Sequence, residues 1–389
     1  MTHGLPPATD VLVVGGGPAG AAAAAMLAAR GRRVTVIEKD PVPRRRVCGE
    51  FVSSEALPML AELGALAPLI AGGARPLSQA AFTAPPDRHL EFPLRSLGGF
   101  GPPLGVTRER LDAAVLAAAV ARGAVLWRGA RFLAPARDQE GALAGAIVAT
   151  PDGTTTLRAA LLIGADGRAS AVARSLGLEA ACGRTPLCAL KAHVRPGAGM
   201  DELTGVEIHL FSGGYVGMQP VEGGLVNVSA VVEARLAHEL GGGAWAILRA
   251  ASGRSLLAGR RLEGATLVGR ALSLFPLERR RREVLGDRFL LVGDAAAVVP
   301  PFAGDGIAAG LRSGLLAAEA ADGALALGDL SAAALRPYAD ARRRHLDPAR
   351  RYSRLLERLA YRPRWAARLL PLLRGTGLPE AFTRATRVS

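Results

Sequence analysis

Two kinds of apolar pattern share this chain. Short unbroken apolar runs that end in glycine stand in its first and last thirds, and an alternating stretch lies between them. The first run, Asp10 to Val14, has Val-Leu-Val-Val in succession and predicts a buried strand. A helix is expected from Ala21 to Arg30, ended by Gly31, and a second strand from Val34 to Ile37. Ser53 or Ser54 can cap a helix reaching Leu63, and Thr107 can cap one that runs to Arg122 and stops at Gly123. Strands follow at Ala124–Trp127 and Arg131–Pro135. Next comes a hairpin of Ala142–Thr150 with Thr154–Ala160, turning at Pro151-Asp152-Gly153. Leu161 to Ile163 predicts a buried strand running into Asp166-Gly167, with a helix through Arg174.

Between residues 180 and 275 the pattern changes to period two. Strands are expected at Ala189–Val194, Gly205–Phe211, Tyr215–Val221, Leu225–Val232 and Ala265–Leu274, with a helix over Ala234–Ala251. Buried-strand character returns at Phe289 to Val292, which runs into Gly293-Asp294. A long Ala-rich helix to Leu325 follows. The expected class is α/β. A Rossmann-like domain with a parallel sheet is built from residues 1–75, 105–178 and 276–335. A second domain with an antiparallel sheet is inserted as 76–104 and 179–275. Residues 336–389 carry apolar positions at helical spacing among many arginines; they read either as solvated helices packed on the domain or as a membrane-surface helix.

At 389 residues the chain is long enough for more than one domain and a sizeable core. Its net charge of +14 comes almost wholly from arginine, since Lys39 and Lys191 are the two lysines. No basic patch interleaved with aromatics is present, and at 4% aromatic residues there is little to stack on bases, so a nucleic-acid partner is not expected. Cys48, Cys182 and Cys188 are an odd set without metal-ligand spacing. They predict no metal site and a reducing, cytoplasmic setting. Neither a signal peptide nor a membrane span is expected. Val11 to Ala29 carries no charge, but its glycines and Pro18 fit a turn better than a span.

The chemistry lies where the apolar runs end. Gly15, Gly17 and Gly20 form G-x-G-x-x-G between the first strand and its helix, and Glu38 stands at the end of the second strand. Gly15 permits the tight turn, Gly17 lets backbone approach a pyrophosphate, and Gly20 lets helix and strand pack closely. The helix N-terminus favours negative charge, and the acid can accept hydrogen bonds from ribose hydroxyls. Gly304 and Gly306, after Pro300-Pro301-Phe302, make a second anion site at a helix start. Arg44 to Arg46 either neutralise a pyrophosphate or form a solvated basic loop.

The order Gly15–Gly20 with Glu38, then Asp166-Gly167, then Gly293-Asp294 with Gly304 and Gly306 resembles FAD-dependent oxidoreductases of the para-hydroxybenzoate hydroxylase type over about residues 8–335. Arg-x-x-Cys-Gly-Glu at 45–50 resembles the geranylgeranyl reductase branch. The resemblance implies non-covalent FAD, with Ala19 and Glu38 on its AMP half, Phe132 giving a backbone contact to adenine, and Arg46 and Arg108 near the pyrophosphate. It places Asp294 on the ribityl chain, Cys48, Gly49 and Pro301 by the ring, and Gly306 and Ile307 under the pyrimidine. It ties Asp166 and Gly167 to FAD and NAD(P)H, the latter as a transient electron donor, because no second G-x-G-x-x-G is present.

The chain departs from the reductases' Tyr-x-Trp-x-Phe-Pro segment, reading Tyr215-Val216-Gly217-Met218-Gln219-Pro220. That favours an NAD(P)H-dependent monooxygenase acting on an apolar or aromatic small molecule, while Cys48-Gly49-Glu50 points to C=C reduction of an isoprenoid. A non-catalytic FAD protein is the third reading. The absence of a suitably placed lysine argues against halogenation. Cys48 reads as a redox or acid group or as a packed small residue. Period two puts Tyr215, Gly217 and Gln219 on one face, and with Phe302 they are expected to wall an apolar substrate pocket, Met218 pointing away.

Overall fold

The structure is a computed structural model and describes residues 9–86, 88–94, 99–178, 186–200, 203–277, 282–360, 362–373 and 376. Cys182 and the end of the tail lie outside the described residues.

The glycine-ended apolar runs pair with one another. Thr9–Val14 lies between Val34–Glu38 and Gly153–Gly164, parallel to both, with Val13 opposite Val36 and Ile163. Val125–Arg128 extends this sheet in parallel beyond Val34–Glu38, and Phe289–Leu291 does so beyond Gly153–Gly164. Thr9–Val14, Val34–Glu38 and the second half of Gly153–Gly164 are buried almost throughout because helices pack over the sheet. Pro18–Ala29, Arg108–Ala121 and Gly306–Leu327 supply that cover. Gly314 of the long helix lies so close to Ala19 and Ala23 that a Cβ there would collide with their backbone, which is how two Ala-rich helices come into close contact.

The hairpin and the buried strand expected separately over 154–163 are one strand, Gly153–Gly164. Its first half pairs antiparallel with Leu143–Thr150, and its second half pairs parallel with Thr9–Val14. No Gly or Pro interrupts residues 154–163, so the chain had no local reason to break.

The second sheet has seven strands. From one edge to the other they are Thr266–Leu274, Leu187–Arg195, Leu225–Glu233, Gly214–Val221, Val206–Phe211, Gln79–Ala84 and Arg88–Pro93. Every pairing is antiparallel except that of Val206–Phe211 with Gln79–Ala84, where the early excursion joins the later strands. The helix expected over 234–251 is broken into Ala234–Leu240 and Ala244–Ser252, followed by Leu256–Arg261. Gly241 and Gly242 adopt positive φ at the break, which no helix can carry through. These helices cover one face of the sheet, and the other face turns toward the first domain.

The tail forms two helices, Arg336–Ala360 and Pro363–Leu373. The first packs along Gly306–Leu327, where Tyr338 is fully buried and its hydroxyl donates to the Leu291 carbonyl at 2.6 Å. The second lies against Gln79–Ala84 and Arg88–Pro93 of the seven-stranded sheet. No described helix is long and apolar enough to cross a membrane.

Candidate active site

The site lies outside the carboxyl ends of the parallel strands, where open α/β sheets bind their ligands. Gly15 turns with φ 108° against the Ala165 backbone, and Gly20 sits on the Gly15 carbonyl. At Gly17 a Cβ would meet nothing within 4 Å, so the outer side of the turn is open. Glu38 is buried. Its Oε2 accepts from the Gly16 amide at 2.9 Å and its Oε1 from the Asp40 amide at 3.0 Å. The acid expected to meet a ribose therefore also clamps the glycine turn. Arg46 reaches Asp40 at 3.0 Å and Asp112 at 3.6 Å, and it edges a small pocket with Gly16, Glu38, Leu116 and Arg128. Arg46 is thus tethered by carboxylates beside the glycine turn. Phe132 is buried in the main core, two residues beyond Ala130, whose amide donates to the Glu38 carbonyl at 3.1 Å.

Asp166 spends its carboxylate locally. It accepts from the Ser170 hydroxyl at 2.6 Å and from the Ala171 and Val172 amides at 2.6 and 3.1 Å, which starts the short helix Ala171–Ser175. Gly167, at φ 81°, makes the turn. Asp294 pairs with Arg168 at 3.2 Å, and the Arg168 side chain continues into the large cavity described below. Asp294, Gly293, Gly306 and Gly310 line a second small pocket with Arg342 and Arg350 of the tail. Gly304, at φ 74°, and Gly306 lead into the long helix. Gly306 has open space at its Cβ position, and Ile307 is buried behind it.

The Cys-Gly-Glu segment is fixed from the other domain. Glu50 is fully buried in the left-handed region at φ 58°, a conformation that costs a non-glycine residue about 1–2 kcal/mol. Its carboxylate supplies the compensation. It accepts from the Arg108 amide at 2.8 Å, from His193 Nε2 at 2.6 Å and from Lys191 Nζ, the latter two on Leu187–Arg195. Burial alone would raise the Glu50 carboxyl, but His193 and Lys191 outweigh it and hold the group below the usual carboxylate range. Asn227 Nδ2 donates to the Gly49 carbonyl at 2.8 Å. Cys48 Sγ accepts from the Glu50 amide at 3.3 Å, and the Arg108 side chain lies near enough to it to interact electrostatically. Arg108 is also tied to Asp112 at 2.8 and 2.9 Å. Burial would lower the Arg108 pKa, yet Asp112 and Cys48 raise it above its ordinary value, so it is a fixed cation beside the thiol.

Cys48 and Gly49 open into a cavity of about 290 Å³. Tyr215, Gly217 and Gln219 line it, as does Phe302, whose ring meets the Tyr215 ring edge-on at 5.2 Å. Val216 and Met218 point into the core on the sheet's other side. Phe82, Phe92, Ile208 and Leu277 add apolar wall, and Pro301 and Gly304 bound it on the side of the first domain. Leu356 and Leu370 of the tail helices close it, so the tail is part of the cavity. Gln219 is buried in this apolar setting, and its Nε2 has no protein partner; neither does Asn227 Oδ1 beside Gly49. Gly17, Gly49 and Gly306 are all open at the Cβ position, and Gly49 and Gln219 line the cavity. A dinucleotide joined to a flat polar ring fits this arrangement.

Reading the sequence alone missed Lys191, His193, Asn227 and Arg168. The one local signal was a charged pair inside an apolar strand, Leu187-Cys188-Ala189-Leu190-Lys191-Ala192-His193-Val194, where both side chains are buried.

Fold and site define a flavoprotein with a dinucleotide-binding domain. The chain belongs to the FAD binding domain family, whose sequence model matches residues 8–345. It is an FAD-dependent oxidoreductase. It is 29% identical to digeranylgeranylglycerophospholipid reductase 2 of Methanopyrus kandleri, over 85% of this chain and 81% of that one. It is 31% identical to menaquinone reductase of Mycolicibacterium smegmatis, over 80% of this chain and 75% of that one. In fold it is similar to the flavin-dependent brominase Bmp2, with a TM-score of 0.84 at 20% identity, covering 98% of this chain and 93% of that one.

Proposed function

We propose that this protein reduces a carbon–carbon double bond of an isoprenoid or similar long apolar molecule, with FAD held between the glycine turn and the cavity. The observation that carries the reading is the position of Cys48. Cys48 lines the wall of an apolar cavity, and the Arg108 cation, tied to Asp112, lies beside it. Bound and reduced, FAD supplies a hydride. The protein's part is to hold the alkene against the ring, keep water out, and supply a proton to the second carbon. Cys48 Sγ is suited to that proton. Arg108 beside it keeps a positive charge next to the proton donor. Gln219 Nε2 donates to a carbonyl or hydroxyl at the substrate's polar end, which sets its register in an otherwise apolar cavity.

The names of the two sequence relatives, both reductases, support this choice over hydroxylation. Glu38, Ala19, Arg46, Phe132 and Asp294 would hold the nucleotide, and Gly306 and Ile307 the pyrimidine edge, where a helix N-terminus favours the negative charge of reduced flavin. NAD(P)H is proposed as the transient electron donor and the cytoplasm as the setting. The test is a single turnover of the reduced holoprotein with a polyprenyl quinone in detergent. A product that gains two hydrogen atoms in its polyprenyl chain, retained after the ring is reoxidised to the quinone, supports reduction. A product that forms only with oxygen and gains one oxygen atom overturns it in favour of the monooxygenase reading.

A further inference from the structure

The last described helix, Pro363–Leu373, presents two apolar sides. Ala366, Leu370 and Leu373 face the cavity. Trp365 and Leu372 lie on the outer side and are 53% and 70% exposed, while Leu369, 36% exposed, stands at the rim of the cavity between the two sides. Single exposed apolar residues are ordinary, but a tryptophan and a leucine on one side of an eleven-residue helix, with a third at its rim, form a patch. Tyr352 and Leu355 of the preceding helix are also exposed, at 47% and 52%.

The charge around the patch is of one sign. Arg362, Arg364 and Arg368 are exposed at the helix, and Arg351, Arg354 and Arg358 on its neighbour. Between Pro348 and Leu373 the single acid is Glu357, which is buried. Arg368 stacks over the Trp365 ring at 5.7 Å, holding the indole where it can meet an interface. Tryptophan at the centre, leucines beside it and arginines around the rim is the composition of a helix that lies in the plane of a membrane surface. A protein partner with an apolar patch would not by itself call for six arginines.

We infer that Pro363–Leu373 docks on the surface of an anionic lipid bilayer. Because the inner side of the same helix is cavity wall, the docked helix forms a door through which an apolar substrate passes from bilayer to cavity without crossing water. This second part rests on the proposed substrate class; the docking itself does not.

The experiment is flotation of the full holoprotein with vesicles of phosphatidylcholine alone and of phosphatidylcholine with phosphatidylglycerol, at low salt. The wild type is expected to float with the anionic vesicles. Trp365→Glu with Leu372→Glu, and separately Arg364→Glu with Arg368→Glu, are each expected to weaken flotation by at least about tenfold with flavin content unchanged. A wild type that stays at the bottom with anionic vesicles overturns the inference. So does a light-scattering mass of a dimer that both double variants split, which assigns the patch to a second copy. Turnover on detergent-dispersed substrate is scored separately: flotation without turnover supports docking and overturns the reduction reading.

Discussion

Two buried carboxylates meet the seven-stranded sheet, and their partners look alike. Glu50 is bound by His193 and Lys191, and Glu207 by His209 at 3.3 Å and Arg261 at 2.7 Å. They sit on opposite faces and serve different ends. Glu207 belongs to the sheet, and Arg261 belongs to the helix that covers it, so that cluster pins a helix within one domain. Glu50 belongs to the segment beside the cofactor crevice, and its partners belong to the sheet, so that cluster joins the two domains across the site. The same chemistry is a fastener in one place and a register for the site in the other. What differs is which covalent segments the charges connect.

The largest expected effect comes from breaking the bridging cluster. Glu50→Gln leaves Lys191 buried without its counter-charge and should cost roughly 3–5 kcal/mol of stability, together with much of the bound flavin. Adding Lys191→Met should return part of the stability but not the flavin. Thermal melting and flavin absorbance read the two separately. A Glu50→Gln protein that melts like the wild type and stays yellow would break the comparison.

Glu207→Gln should cost roughly 2–3 kcal/mol and leave flavin binding unchanged. Burial would raise the Glu207 carboxyl, but His209 and Arg261 pull it down to about 2. A depressed carboxylate contributes stability that is fully present above its unfolded value of 4.5 and is lost as pH falls toward about 2. Wild type and Glu207→Gln should therefore differ most above that value and converge below it. A gap that widens on acidification would contradict the assignment.

Glu38→Ala should act on the cofactor more than on the fold. It removes the clamp on the Gly16 amide and the acceptor for the ribose, worth roughly 1.5–3 kcal/mol, or about one to two decades in FAD affinity. Equilibrium titration of the stripped protein with FAD checks it. Unchanged affinity would remove the nucleotide from this turn.

The contrast between the clusters also shows what could be read from residues alone. The glycine turn with its strands and Glu38 was legible because every part lies within one βαβ unit and each glycine has a local reason. The face of Tyr215, Gly217 and Gln219 was legible because a strand alternates. Glu50 with Lys191 and His193 was not, because the partners are far apart in sequence and nothing near Glu50 predicts which strand it will meet. Asp166 was legible too, because an acid just before a helix start can take up orphan amides, and its oxygens accept from Ser170, Ala171 and Val172. The tail's amphipathic spacing was visible, but not that its inner side would close the cavity, since that depends on how two domains and a third packed element come together.

The most direct test of the central proposal, that substrate meets the flavin in the cavity on this face of the sheet, is anaerobic reoxidation of the reduced holoprotein by a polyprenyl quinone. Wild type and Gly217→Trp would be compared by stopped-flow absorbance. A Cβ at Gly217 would lie 3.2 Å from the end of Ile208 and 3.4 Å from the Ser229 hydroxyl, so a side chain there turns into the cavity. The tip of Ile208 must give way by a few tenths of an ångström to admit it, and flavin content and thermal melting check that the variant is folded. The account predicts fast reoxidation in the wild type and a flavin that stays reduced in a folded Gly217→Trp protein with full flavin content. Equal reoxidation rates in the two proteins, both folded and yellow, would contradict it.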